Sequence, residues 1–344
     1  MRIIALALSI LISPVANSTE PSQPKAPSTH EWYSSDPGIR EHLAALQAAT
    51  QKMIASQGGK WNRTAGLDEP PKIWRVEGAI EELWDASFAP RMTIIPAGEY
   101  TMGWTEANPM LFVATPVPPR GSMTRHRVRI AYALAFSRHP VSVAEFAAFI
   151  SDTGYDAGNV CQIDMSGMKS GYNWRNPGFD QEGSSPVVCV NSADVQAYVT
   201  WLAKKTGFNY RLPSEAEYEY AQRAGSTTAY WWGDAVDGAY AACAGCGNSW
   251  DDKRTPPWGV LPANAFDLHE IAGSIWSRTG DCWSPTYETA PSDGSVNRTG
   301  DCDQAVLRGG AFRTRAAHLR SPVRHPTSLD ARYNDDGFHV VRTF

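Results

Sequence analysis

The chain has 344 residues, of which 42% are hydrophobic and 19% are charged, and its formal net charge at pH 7 is −5. This size suits one large globular domain with an appendage, or two domains. The mild negative charge gives no support for nucleic acid or an anionic membrane as a partner. With 13 Trp, 13 Tyr, 28 Gly and 24 Pro residues, the composition favours a loop-rich fold held by aromatic packing.

The first 18 residues have the pattern of an export signal. Arg2 precedes an apolar run over residues 3–12, which is long enough for a signal peptide and too short to cross a bilayer. Ala16 and Ser18 supply the small side chains that cleavage after Ser18 needs. We therefore predict a signal peptide over residues 1–18 and a periplasmic or secreted protein. The alternative is a short buried strand or helix.

Residues 19–87 are predicted to form a linker and a short helical appendage. Residues 19–38 are rich in Ser, Pro and Thr, which is typical of a mobile tether. Apolar spacing predicts helices over residues 41–56 and 76–84, separated by a second linker over residues 58–71. No residue pattern in this part indicates chemistry.

The main domain is predicted over residues 88–344. Residues 92–103 indicate two strands around a Pro-Ala-Gly turn, and residues 128–135 a further strand. Residues 305–310 and 337–343 have the composition of closing strands. The stretch between Ala224 and residue 305 is punctuated by Gly, Pro and Trp and is expected to be mostly loop. There is no internal repeat.

Three helices are predicted inside this domain. Apolar residues over 143–150 recur with helical spacing. A second helix is expected over residues 192–205, with Asn191 as its N-cap and Gly207 as its end. A third is expected to begin at Ser214, where the spacing of a Ser and a Glu matches a capping box.

An even number of cysteines in an exported protein indicates disulfides. They are Cys161, Cys189, Cys243, Cys246, Cys282 and Cys302. The sequence does not choose among the pairings, but proximity in the chain favours Cys161–Cys189, Cys243–Cys246 and Cys282–Cys302. The CxxC pair could also be redox-active, or half of a zinc site. Its Gly-rich surroundings favour a structural turn, and no second ligand pair lies nearby in the sequence.

Seven segments of the chain resemble the sulfatase-modifying-factor family, whose namesake is the formylglycine-generating enzyme. They include PAGEYTMG at 96–103, RLPSEAEYEYA at 211–221 and RGGAF at 308–312. The segments follow the family order and lie at residues 95–103, 139–146, 186–190, 210–221, 272–283, 306–321 and 337–342. No single segment is specific for the family. The occurrence of all seven in the family order, over most of the chain, is specific for it.

This resemblance implies a loop-rich α/β (α+β) fold, like that of C-type lectins, with little regular secondary structure. The family includes copper oxidases that make formylglycine, domains fused to iron-dependent sulfoxide synthases, and an oxidase that matures a siderophore in the periplasm. It also includes members that only bind. Because one fold serves several functions, the site residues must decide between them.

The copper oxidases of the family hold Cu(I) with two cysteines, five residues apart, shortly after the Arg-Gly-Gly segment. The resemblance places Thr314 and Leu319 at those positions of this chain. Neither side chain is a ligand for soft Cu(I). We therefore expect that copper is not a cofactor and that the protein is not a copper-dependent formylglycine generator.

The calcium loops of the family are also altered. Its pattern Gly-Asn-Val-Trp-Glu-Trp reads GSIWSR at residues 273–278, so that Ser277 replaces the acidic ligand. Ca²⁺ needs several oxygen ligands. The oxygen donors that remain belong to Glu270, Gly273, Ile275, Asp251 and Asp252. Calcium stays open as a cofactor, and ordinary solvated loops are the alternative.

Basic and aromatic residues remain near the expected cleft. His318, Arg313 and Trp276 are the candidate catalytic residues. Arg315, Arg324 and Trp283 are the candidate ligand-binding residues, because guanidinium groups and aromatic faces suit an anionic or peptide ligand. The alternative is that some of these arginines brace irregular loops.

An iron site has less support. None of the eight His residues lies at HxH or HxxxH spacing. His318 and His325 flank the presumed pocket, but a facial triad needs a third ligand.

Two functions stay open at this point. One is a binding or accessory domain for a peptide, glycan or protein partner outside the cytoplasm. The other is a copper-independent oxidoreductase that resembles the siderophore-maturing relatives. The missing cysteine pair opposes a third, the copper-dependent oxidation of a substrate cysteine.

Overall fold

The computed structural model describes residues 72–75, 81–103, 124–164 and 166–344. The predicted signal peptide, the tether and the helix over residues 41–56 lie outside them. In the described residues the strands are β1 (Lys72–Arg75), β2 (Glu81–Trp84), β3 (Met92–Ile95), β4 (Gly98–Met102), β5 (His126–Ile130), β6 (Leu134–Ser137), β7 (Val160–Gln162), β8 (Met168–Ser170), β9 (Asn209–Arg211), β10 (Trp276–Trp283), β11 (Asp301–Arg308), β12 (Arg324–Ser328), β13 (Asp336–Phe338) and β14 (Val341–Thr343). The helices are α1 (Val143–Thr153), α2 (Ser192–Thr206), α3 (Glu215–Arg223) and a 3₁₀ helix (Ala316–Leu319).

Reciprocal caps define the helix starts. The Ser142 hydroxyl accepts a hydrogen bond from the Glu145 N–H, and the Glu145 carboxylate accepts one from the Ser142 N–H. These bonds satisfy two donors that the first turn would otherwise leave unpaired. The same box opens α2 at Asn191 and α3 at Ser214. α1 ends at Gly154, in the left-handed conformation that glycine adopts readily. All three predicted helices are confirmed.

The main core lies between α1, α2 and a six-stranded sheet with the order β1-β2-β3-β6-β14-β9. Aromatic rings fill it. Phe146 of α1 stacks on Tyr198 of α2 at 5.9 Å between centroids, and Phe338 packs edge-on against Tyr198 at 5.4 Å. The fold is therefore loop-rich and held by aromatic packing, as the composition predicts.

A second sheet, with the order β12-β11-β10-β13, carries the strands around the candidate site. β13 runs parallel to β10, and its residues Asp336 and Phe338 lie beside Trp276 and Arg278. β14 follows directly but pairs with β6 and β9 in the first sheet. The strand region expected over residues 337–343 is therefore divided between β13 and β14, because the chain changes sheets there.

Two further predictions are corrected. The helix expected over residues 76–84 is wrong, because Glu81–Trp84 is strand β2, paired with β1 and β3. The strand expected over residues 128–135 is divided between β5, which pairs with β4, and β6 in the large sheet. The stretch expected to be mostly loop is mostly irregular, as predicted, and β10 is the strand within it that lies between β11 and β13.

The three predicted disulfides are confirmed. Their Cα–Cα distances are 5.5 Å for Cys161–Cys189, 5.2 Å for Cys243–Cys246 and 4.4 Å for Cys282–Cys302. All six cysteines are therefore in disulfides, and none is free. Among the described residues, no helix combines the length and the apolar content that crossing a bilayer requires.

Candidate functional site

Two glycines turn the chain from β11 into the site. Gly309 and Gly310 both have positive φ angles, 93° and 74°. A Cβ atom on Gly310 would lie 2.7 Å from Cδ1 of Leu319. Glycine is therefore needed here for its backbone conformation and for the close return of the chain. The turn brings residues 311–319 against the start of β10, where the Phe312 N–H donates to the Ser274 carbonyl at 3.0 Å.

Trp276 is the centre of the candidate site. It begins β10 and is 6% exposed. His325 of β12 stacks on its indole at 5.6 Å between centroids, and His318 of the 3₁₀ helix lies at 6.1 Å in a tilted arrangement. The structure thus brings together two of the three candidate catalytic residues and adds His325.

The surroundings of both imidazoles favour the neutral form. Burial lowers the pKa of His318, and the charge of Arg315 lowers it further. Burial also lowers the pKa of His325, and His318 adds to that effect. Within the described part of the chain, no hydrogen bond is made by either ring. A neutral imidazole has one donor and one acceptor nitrogen, so this pair can bind a ligand or accept a proton.

Arg313, the third candidate catalytic residue, braces neighbouring loops. Its Nη1 donates to the Ile163 carbonyl at 2.9 Å and to Oδ1 of Asn334. Asn334 in turn donates to the Pro177 carbonyl at 3.0 Å. The guanidinium is half-buried. It contributes positive charge near the site, but its contacts are those of a structural residue.

Sequence reasoning missed Asp335. The Trp276 N–H donates to the Asp335 carbonyl at 2.7 Å, so the backbone of this residue lies directly beside the start of β10. Burial raises the pKa of the Asp335 carboxyl to about 6, and the charge of Arg313 opposes that rise. Two successive acids before the Gly-Phe segment at residue 337 were the available sequence signal.

Arg315 is the exposed charge of the site. It precedes the 3₁₀ helix that carries His318, and its backbone forms an isolated bridge with Ala244. Within the described residues its guanidinium makes no ion pair. Because it is exposed, it can meet an anionic group without losing an internal partner.

Arg324 and Trp283 lie apart from this group. Arg324 forms two bonds with the Glu215 carboxylate, at 2.7 and 2.6 Å, and its guanidinium covers the Trp283 ring at 4.5 Å. Successive residues of a strand face opposite sides of the sheet. Arg324 therefore faces α3, whereas its neighbour His325 faces Trp276. The contacts of Arg324 are those of a buried brace and do not favour the predicted role in ligand binding.

The proposed calcium ligands are turned towards backbone N–H groups. The Glu270 carboxylate accepts from Gly259 at 3.1 Å and from Leu261 at 3.3 Å. Burial raises the pKa of Glu270 to about 8, although these two bonds lower it. The Gly273 carbonyl accepts from the Ile275 N–H at 2.9 Å.

In the second proposed calcium loop the acidic side chain also accepts bonds from backbone N–H groups. Asp251 accepts three backbone N–H bonds, from Cys243, Gly247 and Asn248, and the Asp252 N–H donates to the Phe312 carbonyl. No cluster of three or more His, Cys, Asp or Glu residues suited to a metal occurs in the described ranges. These donors do not fit a calcium site as they are placed, and calcium binding stays a prediction.

The side chains at the copper positions have structural roles. Thr314 Oγ1 donates to the Ala311 carbonyl and accepts from the Ala311 N–H, both at 2.9 Å. Leu319 is fully buried and packs with Tyr230 and Cys243. Ser277, which replaces the acidic residue of the family pattern, bonds to Nδ1 of His339 at 3.0 Å.

Comparison with known proteins identifies the fold. Residues 82–344 match the family described as sulfatase-modifying factor enzyme 1-like domain. Formylglycine-generating enzyme from Mycobacterium tuberculosis is 27% identical over 314 residues, covering 72% of this chain and 96% of that relative. Hercynine oxygenase from Mycolicibacterium thermoresistibile is 30% identical over 220 residues, covering 56% of this chain and 47% of that relative.

Among solved structures, PvdO from Pseudomonas aeruginosa superposes with a TM-score of 0.65 at 28% identity. The match covers 81% of this chain and 100% of PvdO. The predicted fold, a loop-rich α/β arrangement of the formylglycine-generating-enzyme and C-type-lectin-like kind, is confirmed.

Proposed function

Because the chain belongs to the sulfatase-modifying factor enzyme 1-like domain family, we propose that it is an exported member that works as a binding or accessory domain. Its ligand would be an anionic group of a peptide, glycan or protein partner outside the cytoplasm. The site would be the group of side chains formed by Trp276, His318, His325 and Arg315. The observation that carries the proposal is the exposed guanidinium of Arg315 beside two neutral imidazoles on one indole.

The residues at the copper positions support binding over copper chemistry. Thr314 closes a turn and Leu319 fills the core, and every cysteine of the chain is in a disulfide. Two thiolates for Cu(I) are therefore absent from the segment in which the family pattern has them. At this place the chain offers the nitrogens of two imidazoles and the exposed guanidinium of Arg315 instead.

Two other arginines of the second sheet are neutralised internally. Arg308 pairs with Glu219, and Arg324 pairs with Glu215. An arginine that is already bonded to a carboxylate must lose that partner before it binds a ligand. Arg315 has no such cost, so it is the better anchor for an anion.

The test is binding of the mature chain to a synthetic peptide array in which each sequence carries Asp, Asn or Lys at one position. We expect stronger retention on the Asp peptides, and a loss of about tenfold, or about 1.4 kcal/mol, in Arg315→Ala. Arg298→Ala is the matched control, because Arg298 is also exposed and lies in a separate loop. Equal retention by the wild type and Arg315→Ala would refute the proposal.

A second candidate function is a copper-independent oxidase. The neutral His318 and His325 beside Trp276, with Asp335 nearby, provide groups that can exchange protons with a substrate. Oxygen uptake by wild type and His318→Ala with a reduced phenolic substrate, together with metal analysis by mass spectrometry, separates the two candidates. Uptake that depends on His318 would favour the oxidase. Copper or iron near one atom per chain would contradict our interpretation of Thr314 and Leu319.

A further inference from the structure

The three disulfides differ in what they hold together. Cys161 and Cys189 are both fully buried, and their bond closes a separation of 28 residues. The bond between Cys243 and Cys246 closes a separation of 3 residues. The stabilisation from a disulfide grows with the loop it closes. The short pair therefore has the smallest structural role of the three.

The turn around this short pair is held by other bonds as well. The Cys246 N–H donates to the Cys243 carbonyl at 3.2 Å. Asp251 accepts from the N–H groups of Cys243 and Gly247, one on each side of the turn. These contacts do not need the sulfur–sulfur bond. Both sulfurs would stay close after reduction, which makes their reoxidation intramolecular and therefore favourable.

One cysteine of the pair is partly exposed and the other is buried. Cys246 is partly exposed, whereas Cys243 is fully buried against Leu319 and Tyr230. An external thiolate can therefore reach Cys246, and Cys243 is the sulfur that leaves.

The turn also contacts the segment that carries the candidate site. The Ala244 N–H, between the two cysteines, donates to the Thr314 carbonyl at 2.8 Å. Ala244 forms a backbone bridge with Arg315, and Cys243 packs on Leu319 at the end of the 3₁₀ helix. A change in the turn is thus transmitted directly to Arg315 and His318.

We propose that Cys243–Cys246 is a redox-active disulfide that exchanges with a dithiol protein and thereby alters residues 314–319. The site would take a dithiol of the class found in thiol–disulfide exchange proteins. The inference does not depend on which ligand the candidate site binds, so its failure and the failure of the proposed function are distinguishable.

The exchange proceeds in two nucleophilic attacks. One thiolate of the partner attacks Sγ of Cys246, the bond to Cys243 breaks, and its electron pair goes to Sγ of Cys243, which takes a proton. The second thiol of the partner then attacks the mixed disulfide and releases Cys246 as a thiol. Two electrons and two protons move to the protein, and the partner leaves as a disulfide.

The first experiment equilibrates the full mature chain with mixtures of reduced and oxidised dithiothreitol. Thiols are trapped with an alkylating agent and assigned by peptide mass spectrometry. We expect Cys243 and Cys246 to become reduced at a reductant-to-oxidant ratio about tenfold lower, or more, than Cys161 and Cys189. Reduction of both pairs at the same ratio, or of Cys161–Cys189 first, would overturn the proposal.

The second experiment tests the coupling by amide hydrogen exchange. In Cys243→Ser/Cys246→Ser we expect exchange about tenfold faster at Ala244 and at His318, whose N–H donates to the Arg315 carbonyl. Cys282→Ser/Cys302→Ser is the control, because it removes another disulfide with an exposed cysteine. Unchanged exchange over residues 314–319, or an equal rise in the control, would overturn the coupling. If the first variant does not fold, the wild type reduced only at this pair gives the same readout.

Discussion

Two groups of charged residues, on opposite sides of the second sheet, show how differently the same side chains can be used. On one face, Arg308 and Arg324 are buried with Glu215 and Glu219. On the other, Arg315 is exposed beside His318 and Trp276. The buried group has charges paired inside the protein, so it supports the fold. The other group keeps its polar atoms accessible, so it can support function.

The largest expected effect is in the buried group. The Glu219 carboxylate is fully buried and accepts hydrogen bonds from two arginines. One is Arg308, and the other is Arg223 at 2.9 Å. Glu219→Ala leaves two buried or nearly buried guanidinium groups without this partner, so we expect the free energy of unfolding to fall by about 3–5 kcal/mol. Chemical denaturation measures it.

The control for this prediction is an exposed pair. Glu99 contacts Arg127 at 3.0 Å, and the Arg127 side chain is 84% exposed. Glu99→Ala should cost about 1 kcal/mol or less, since water screens exposed charges. Similar losses in the two variants would show that the buried pair has no special role.

Glu270 is a buried acid that has no arginine partner among the described residues, and the pH dependence of its protonation sharpens the comparison. The folded protein keeps the proton of Glu270 until its raised pKa of about 8, whereas the unfolded chain releases it near its ordinary value of 4.5. Between these values the folded state binds more protons, so a rise in pH lowers the free energy of unfolding. Glu270→Gln removes this titration.

We therefore expect the stability of the wild type, relative to Glu270→Gln, to fall by about 3 kcal/mol between pH 5 and pH 8. Denaturation of both proteins at the two pH values measures the difference. A constant difference would show that the carboxyl titrates normally. Repeating the series with Ca²⁺ tests the calcium prediction, because a bound cation would stabilise the wild type selectively at pH 8.

The expected effect of an Arg313 substitution on the free energy of unfolding is intermediate between those of the two groups. Arg313→Ala removes the bonds to the Ile163 carbonyl and to Asn334. We expect a loss of about 2 kcal/mol in the free energy of unfolding, because a charged donor is removed from half-buried acceptors. Thermal and chemical denaturation check this value. If Arg313→Ala leaves stability unchanged but abolishes binding, Arg313 belongs to the ligand-binding group instead.

The smallest expected effect on stability is at Arg315. Arg315→Ala should change the free energy of unfolding by no more than about 0.5 kcal/mol, because the side chain is exposed and has no ion pair in the described part of the chain. The same variant is expected to lose anion binding. A destabilisation as large as that of Arg313→Ala would place Arg315 among the structural residues.

The sequence by itself determined the features that depend on neighbours in the chain. The capping boxes at Ser142, Asn191 and Ser214 could be predicted because their partners lie three residues away. The disulfide pairs follow proximity in the chain, and the resemblance supplied the fold. The replacement of copper ligands at Thr314 and Leu319 could also be seen in the sequence alone.

Only the tertiary structure decided what depends on distant partners. Arg324 and Arg315 look alike in sequence, but Glu215, which lies 109 positions away, binds the first. Asp335 became a candidate only when β13 was found beside Trp276. The chain end divides between two sheets because pairing partners for β13 and β14 come from remote segments. Burial and charge pairing are properties of the assembled chain, so local residue patterns cannot specify them.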